Sequence, residues 1–297
     1  MAMRTTPTIV GIDVAKAELV TYRADADRVE VVDNAHKAIG AWLSSLPAGS
    51  LIAIEATNDY HLAVLERAHA LGHRPYVIDG YRLNHYRKGT GERVKTDARD
   101  ARLLARYLAH EQAHLRPWSP PPAAYRRLQQ LLRRRAALVR ARTALKQSFA
   151  GPAAASLEPV LADIRQLEAQ LQRELLQVAK QADLGDSVQR CQAVEGIGPL
   201  TACALNMAYL RGPFRHSDAF IAFLGLDVRI RDSGRSRGRR RLTKQGDPEL
   251  RRLLYNAAMA ASRSQTWKPF YQRHLDRGLT RIQALVALAR KLARVAF

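Results

Sequence analysis

The chain has 297 residues and carries 48 Lys and Arg against 27 Asp and Glu, a formal charge of +21 with an isoelectric point near 10.7. A surplus of that size points to a polyanionic partner, nucleic acid first, held by phosphate contacts and counterion release. The sequence shows no signal peptide, lipidation motif or bilayer-length apolar run, so no membrane partner is expected and the chain reads as cytoplasmic, nucleoid-associated when bound to DNA.

From Pro7 to about Trp118 the hydrophobic pattern alternates between strand and helix periods, which predicts an α/β layer. "TIVGIDVAKAELVTYRAD" and "VEVVDNA" predict strands joined by turns, "HKAIGAWLSSL" a short helix, and "SLIAIEATNDY" a buried strand. "HLAVLERAHALG" reads as a helix ended by Gly72, "RPYVIDGY" as a strand, and "KTDARDARLLARYLAHE" as a helix with two aspartates in its N-terminal turn. Between those last two lies a basic stretch with Tyr81, Arg82, Tyr86, Arg87, Lys88, Arg93 and Lys95. It suits stacking and phosphate contacts to nucleic acid, or equally a solvated loop. The proline-rich "LRPWSPPPAAY" marks a boundary, because proline has no N–H to continue a helix or a ladder.

Beyond it, "RRLQQLLRRRAALVRARTALKQSFAG" predicts a long helix that breaks at Gly151-Pro152. Leu157, Leu161, Ile164, Leu167, Leu171, Leu175 and Val178 then recur at three- and four-residue spacing, so the pair reads as a helical hairpin or coiled coil. Such an arm either packs within its own chain or joins two chains. Its first half holds Arg126, Arg127, Arg133, Arg134, Arg135, Arg140 and Arg142, a density that favours nucleic acid lying along one face. From about Val188 the chain predicts mostly helix. Its two cysteines, Cys191 and Cys203, lack metal-ligand spacing and read as core residues. "VEGIGPL" is either a turn offering N–H groups to phosphate or a tight helix start. "PELRRLLYNAAMAAS" and "TRIQALVALARKLARVAF" are further helices, and the last ends on an apolar run that a short extension could follow.

Carboxylates inside apolar strands need a reason in so basic a chain. Asp13 in "IVGIDVAK" and Glu55 in "IAIEAT" sit at or near strand ends, where burial raises a carboxyl pKa unless a cation compensates. Asp97 and Asp100, three apart on a helix, share a face. Together the four can hold one or two Mg²⁺ ions against a phosphodiester. Taken singly each has a plainer reading, with Asp97 as an N-cap and Asp100 at the third helical position.

The ordered series "GIDVAK", "IEATNDYH", "KTDARDA" and "DSGRSRGRRRLTKQGDPELRRLL" resembles the DEDD transposases of bacterial insertion sequences, insertion sequence family 110, over nearly the whole chain. The resemblance implies a RuvC-like, RNase H-fold domain over residues 1–120, a helical coiled-coil insertion over 121–185 and a mainly helical C-terminal transposase domain over 186–297. It places Asp13, Glu55, Asp97 and Asp100 on the family's four acidic positions, with Mg²⁺ as cofactor. It further implies an RNA-guided DNA recombinase whose element-encoded noncoding RNA pairs with donor and target DNA, and a serine nucleophile in the C-terminal domain. Two departures from the family pattern are Asn58-Asp59, where glycines are common, and Asp79-Gly80, where Asn-Pro is usual.

In that pattern a Ser-Gly pair precedes a basic stretch and a Lys-x-Gly-Asn/Asp turn, and here Ser233-Gly234 precedes Lys244-Gln245-Gly246-Asp247. Ser233 is therefore the expected nucleophile and Ser236 its rival. Without the family, the stretch reads most simply as a phosphate-binding tract with spacer serines. Arg235, Arg237, Arg239, Arg240, Arg241 and Lys244 are the expected nucleic-acid contacts there, with Arg133 and Arg134 on the arm and Lys95 before the aspartate helix. The competing functions are a RuvC-like nuclease or Holliday junction resolvase that uses water, and a noncatalytic RNA-binding protein. Cutting two strands calls for two nucleophiles, so a homo-oligomer, dimer or tetramer, is expected.

Overall fold

A computed structural model describes residues 7–56, 59–91, 94, 96–149, 151, 154–230, 232–233, 236–237 and 240–297, and divides the chain into one unit ending at Pro120 and a second running from Pro121 to Phe297. Among the described residues no helix is long and apolar enough to cross a membrane.

The first unit is α/β, built on a mixed sheet of five strands. Strands β1 (Ile9–Val14), β2 (Glu18–Arg23) and β3 (Arg28–Asp33) form an antiparallel meander. After helix α1 (His36–Ser44), strand β4 (Leu51–Glu55) joins parallel to β1; after helix α2 (Leu62–Ala70), strand β5 (Arg74–Ile78) joins parallel to β4. The spatial order is β3-β2-β1-β4-β5. Gly72, at φ +79°, ends α2 in the left-handed conformation that glycine tolerates.

Side chains alternate across the sheet, so β1 and β4 each serve two cores. Val10, Ile12, Val14, Ile52 and Ile54 pack with residues of α1 and α2 on one face. Leu51 and Ala53 pack on the other with Leu83, Leu103, Leu104 and Leu108. Those leucines belong to helices α3 (Gly80–Gly89) and α4 (Asp97–Glu111). Helix α3 replaces the loop alternative of the sequence reading. The part of the basic stretch from Gly80 to Gly89, with Tyr81, Arg82, Tyr86, Arg87 and Lys88, is helical, begun by Asp79, whose carboxylate accepts from the Arg82 N–H, and anchored by Leu83; Arg93 and Lys95 lie outside the described residues. Tyr86 packs edge-on to Tyr107 and its hydroxyl meets His110 Nδ1 at 2.8 Å.

The second unit is helical. Helices α5 (Ala123–Ser148) and α6 (Ala154–Gln181) pair as a hairpin. They are followed by α7 (Gly185–Gln192), α8 (Pro199–Tyr209) and α9 (Ser217–Phe223). Four two-residue strands come next: β6 (Val228–Arg229), β7 (Asp232–Ser233), β8 (Ser236–Arg237) and β9 (Arg241–Leu242). Helices α10 (Pro248–Ala261), α11 (Lys268–Asp276) and α12 (Arg281–Ala296) close the unit. Leu128, Leu131, Leu132 and Leu175, near the foot of the hairpin, share one core with Leu253, Leu254, Leu288 and Leu292. Cys191 and Cys203 are buried in that core as free thiols. The Gly-Ile-Gly-Pro turn is a close-packed helix start: a Cβ on Gly196 would lie 2.6 Å from the Ala257 carbonyl oxygen of α10.

The hairpin seam departs from an unbroken leucine stripe. Leu167 is 47% exposed, while its neighbour Glu168 is buried and takes an Arg142 Nε–H at 2.7 Å, with Arg135 at 3.9 Å. Arg127 pairs with Glu174 across the same hairpin. Arg127, Arg135 and Arg142 of the arm therefore help hold the two helices together, which the density of arginine in α5 did not reveal.

Candidate active site

Four carboxylates meet at one end of the sheet in the first unit. Strands β1 and β4 run parallel, with Ile12 registered on Ile54, so the next residue of each, Asp13 and Glu55, emerges at the same C-terminal edge. That edge is where open α/β sheets place ligands. Asp13 shares a sheet face with Gly11, and Gly11 lets α4 press directly on β1: a Cβ there would stand 1.9 Å from the Ala101 carbonyl oxygen. The close approach brings the N-terminal turn of α4 over Asp13. Thr96 caps that turn, accepting from the Arg99 N–H, so Asp97 is the first helical residue and the plain N-cap reading of Asp97 does not hold.

The convergence shows in the electrostatics. The Asp13 carboxyl is pushed up to about 6, first by burial and then by the charges of Asp100, Asp97 and Glu55. Glu55 leans over the start of α3, where a Cβ on Gly80 would come within 2.4 Å of its Oε1. Glycine where the family pattern has proline thus leaves room for the carboxylate. Asp97 is exposed and Asp100 is buried. Asp100 Oδ1 accepts from Arg87 Nη2 at 2.7 Å, an ion pair that is itself largely buried. Sequence reasoning placed Arg87 only among possible phosphate contacts. The capping Asp79 followed by Leu83 and Arg87 at four-residue spacing is the signal that would have put Arg87 on a helix facing the site.

Whether these residues suit a divalent cation is decided by the donor set and its charge. Carboxylate oxygens are the hard ligands that Mg²⁺ or Ca²⁺ takes, and the negative charges of Asp100, Asp97 and Glu55 all act on Asp13. The four fit a divalent ion. In the present side-chain arrangement no three His, Cys, Asp or Glu among the described residues stand at ligand spacing, and Asp100 is turned toward Arg87.

The serine-bearing stretch lies in the second unit. Ser233 on β7 is registered opposite Ser236 on β8, and Asp232 opposite Arg237. The ribbon stands on the pairing of β6 with β9, Arg229 opposite Arg241 and Val228 opposite Leu242. Its base is fixed. The Thr243 N–H donates to the Asp227 carbonyl and the Thr243 hydroxyl to the Asp227 carboxylate; the Lys244 N–H reaches the Gly225 carbonyl at 3.2 Å. Arg251 donates to the Gly246 carbonyl at 2.8 Å. Lys244 takes φ +56°, unusual for a residue with a side chain. A Cβ on Gly246 would meet the Phe223 carbonyl oxygen at 2.5 Å, so this turn is moulded onto the end of α9. Asp247 caps α10, accepting from the Glu249 N–H.

Of the expected nucleic-acid contacts, Arg240 and Arg241 are exposed beside the ribbon and Lys244 is exposed in the turn. Arg133 lines a cavity of about 420 Å³ together with Arg140, Gly246 and Asp247, so arm and turn meet there. Arg134 is exposed on α5. Arg235, Arg239 and Lys95 lie outside the described residues, and Ser233, Ser236 and Arg237 are described in their backbone alone.

The comparisons with known proteins agree on one family. A family model of DEDD transposases of the IS110 type, described as "Transposase", matches residues 10–151, which include all four carboxylates. A second, described as "Transposase IS116/IS110/IS902 family", matches residues 188–272, which include the ribbon. The chain is 30% identical to a probable family 20 transposase of Pseudomonas aeruginosa, covering 96% of this chain and 94% of that one. It is 28% identical to pilin gene-inverting proteins of Moraxella bovis and Moraxella lacunata, in both cases over 82% of this chain and 78% of the relative. The DEDD type carries divalent-metal use with it, in keeping with the donor set described above. The chain belongs to the IS116/IS110/IS902 family and is a DNA transposase.

Proposed function

We propose that this transposase is an RNA-guided DNA recombinase that joins its DNA substrates through a phosphoserine link. Donor and target duplexes and an element-encoded guide RNA are its partners, and it works as a dimer or tetramer. The observation that carries the reading is the convergence of Asp13, Glu55, Asp97 and Asp100 at one edge of the sheet. The strand order β3-β2-β1-β4-β5, with a three-stranded meander followed by two parallel strands, supports an RNase H fold of the RuvC type. The relatives named as pilin gene-inverting proteins support DNA recombination as the activity.

In this reading Asp13, Glu55 and Asp97 hold Mg²⁺, with Asp100 completing the acidic set. The ion, when bound, neutralises charge on the phosphodiester and orients its oxygens. The Ser233 hydroxyl attacks phosphorus, the serine O–P bond forms as the P–O bond to the leaving DNA oxygen breaks, and the serine proton passes to a base while the leaving oxygen gains one. A free serine hydroxyl is a weak nucleophile and needs that base. Arg240, Arg241 and Lys244, with Arg235, Arg237 and Arg239, bind the phosphates flanking the scissile one, and Arg133, Arg134 and Lys95 extend the track. The phosphoserine link keeps the bond energy for rejoining, so the reaction needs no ATP. Sequence choice is delegated to base pairing.

Covalent trapping tests this. Protein is incubated with Mg²⁺, the element's junction DNA, a target duplex and RNA transcribed from the element's noncoding end, then denatured and resolved for protein bound to DNA. Wild type and Ser236→Ala are expected to form the adduct, and Ser233→Ala and Asp13→Asn to form none. DNA cut without an adduct, with Ser233→Ala still cutting, would establish hydrolysis by water instead. An adduct lost only in Ser236→Ala would move the nucleophile by three residues.

A further inference from the structure

We propose that Lys16 is a phosphate-binding residue of the acidic edge, presented to the DNA strand there by Asn34. The inference rests on the reading of that edge as the place where DNA is cut, and it assigns Lys16 a substrate contact and Asn34 a positioning role.

The placement follows from the sheet. Strand β1 ends at Val14, and the chain turns back through Ala15, Lys16 and Ala17 into β2, with the Ala15 N–H donating to the Glu18 carbonyl at 2.9 Å. Lys16 therefore stands on the tip of a hairpin, a few residues beyond Asp13 and at the C-terminal edge of β1. Strand β3 is antiparallel to β2 and so runs in the direction of β1. It ends at that same edge, and Asn34 is the residue that follows it.

Asn34 grips the hairpin tip on both sides of Lys16. Its backbone N–H donates to the Ala17 carbonyl at 2.8 Å, and its Nδ2 donates to the Ala15 carbonyl at 2.9 Å. The same Nδ2 reaches the Tyr60 carbonyl at 3.3 Å, in the segment between β4 and α2. A primary amide carries two N–H donors, and here both go to backbone carbonyls. The clasp thus ties together the segments that leave β1, β3 and β4 beside Asp13 and Glu55. A turn pinned on either side of one residue fixes where that side chain begins, which is what a contact to a reacting strand requires.

Lys16 is exposed and joins no ion pair among the described residues. Its surroundings are negative. Asp13, Glu55, Asp97 and Asp100 converge at this edge, and Glu18 and Asp33 are registered opposite each other where β2 begins and β3 ends. A phosphodiester entering such an edge is repelled unless cations at the rim offset the charge. A lysine ammonium is a compact point charge on a flexible stem, suited to a phosphate beside the one being cut.

The test uses the full chain with the junction DNA, target duplex and RNA of the trapping assay, and measures initial rates of strand cleavage. At limiting DNA, Lys16→Gln is expected to lower the rate about tenfold, and Lys16→Arg, which keeps the charge, to stay near wild type. Single methylphosphonates, each removing one phosphate charge beside the cut, locate the contact. At one position the neutral linkage should slow wild type about tenfold and add nothing to Lys16→Gln, the non-additivity of a shared contact. Asn34→Ala should lose part of the same contact, so its penalty should vanish in the Lys16→Gln background. Mn²⁺, titrated into the full chain without nucleic acid and followed by electron paramagnetic resonance, should bind both variants as it binds wild type. Far-UV circular dichroism checks that each is folded. Lys16→Gln within twofold of wild type would overturn the inference. So would penalties that add at every phosphate scanned, Lys16→Arg no better than Lys16→Gln, or lost Mn²⁺ binding in folded Lys16→Gln. An Asn34→Ala penalty that persists beside Lys16→Gln would overturn the role of Asn34. Asp13→Asn separates the underlying reading: if it cleaves at the wild-type rate, DNA is not cut at the acidic edge and this inference fails with that reading. If Asp13→Asn is inactive and Lys16→Gln is unaffected, this inference alone fails.

Discussion

The carboxylates of the first unit and the serines of the second are set in opposite kinds of matrix. Asp13 and Glu55 directly follow fully buried residues, Ile12 and Ile54, on strands whose neighbours fill two cores. Ser233 and Ser236 lie on two-residue strands, carried by a second two-residue pairing. A charge cluster gains from rigidity and partial desolvation, since both strengthen its grip on a cation. The nucleophile proposed for the second unit would gain from projection. The base of the ribbon is firm, where Asp227, Gly225, Arg251 and the left-handed Lys244 fix the turn.

The largest expected effect bears on the first matrix. Asp13→Asn should lower DNA cleavage by about a thousandfold or more while leaving the fold intact, because it removes a ligand and keeps the shape. Cleavage within tenfold of wild type, measured on a labelled duplex, would show that the acidic cluster is structural. Next in size is Gly11→Ala. Its new Cβ meets backbone on α4 that cannot swing aside, so the expected cost is about 3 kcal/mol, with loss of Mn²⁺ binding as α4 lifts its aspartates from β1. Gly246→Ala makes the matching change in the second unit, against Phe223 backbone. It should lower adduct formation and leave Mn²⁺ binding unchanged. Should Gly246→Ala abolish Mn²⁺ binding, the two regions would not be separable. Gly80→Ala should be milder, because what its Cβ meets is the movable end of the Glu55 side chain. Thermal stability is expected to stay near wild type while cleavage falls, through a displaced Glu55.

The same contrast governs what could be read from sequence. The sheet was legible because β1, β4 and β5 are short apolar runs with turn residues at their ends, and Asp13 and Glu55 stood out as charges inside those runs. The strand order was not, since nothing local states that β4 pairs with β1 rather than β3. Helix α3 was hidden because its polar, basic composition gives it only one fully buried side chain, Leu83, so period and charge gave no helix and left the stretch between a nucleic-acid contact and a solvated loop. With it went the Arg87–Asp100 pair. Leu167 kept heptad-like spacing and yet lies outside the seam, because Glu168 with Arg142 fills that layer instead. Periodicity counts apolar residues and does not anticipate a buried ion pair. Ser233 carries no physical signal of its own: among seven basic residues in a polar stretch, only the resemblance singled it out.

The smallest expected effect is on stability, and it tests the excess of negative charge directly. Asp13 has a folded-state pKa of about 6 against 3.8 unfolded. Between those values the folded chain binds more protons than the unfolded one, so stability falls as pH rises through the window, and the loss is complete above it. Half-burial leaves solvent to screen part of the effect, which sets it at about 1 kcal/mol. In chelator at about pH 7.5, Asp13→Asn should therefore melt a few degrees above wild type, and the difference should vanish toward pH 4. Adding Mg²⁺ should raise the wild-type melting temperature and leave that of the variant nearly unmoved, because binding to the folded state alone stabilises it. A variant that melts below wild type in chelator at neutral pH would mean that Asp13 already has its cation within the chain, and the acidic edge of the sheet would then have no charge left for a metal to balance.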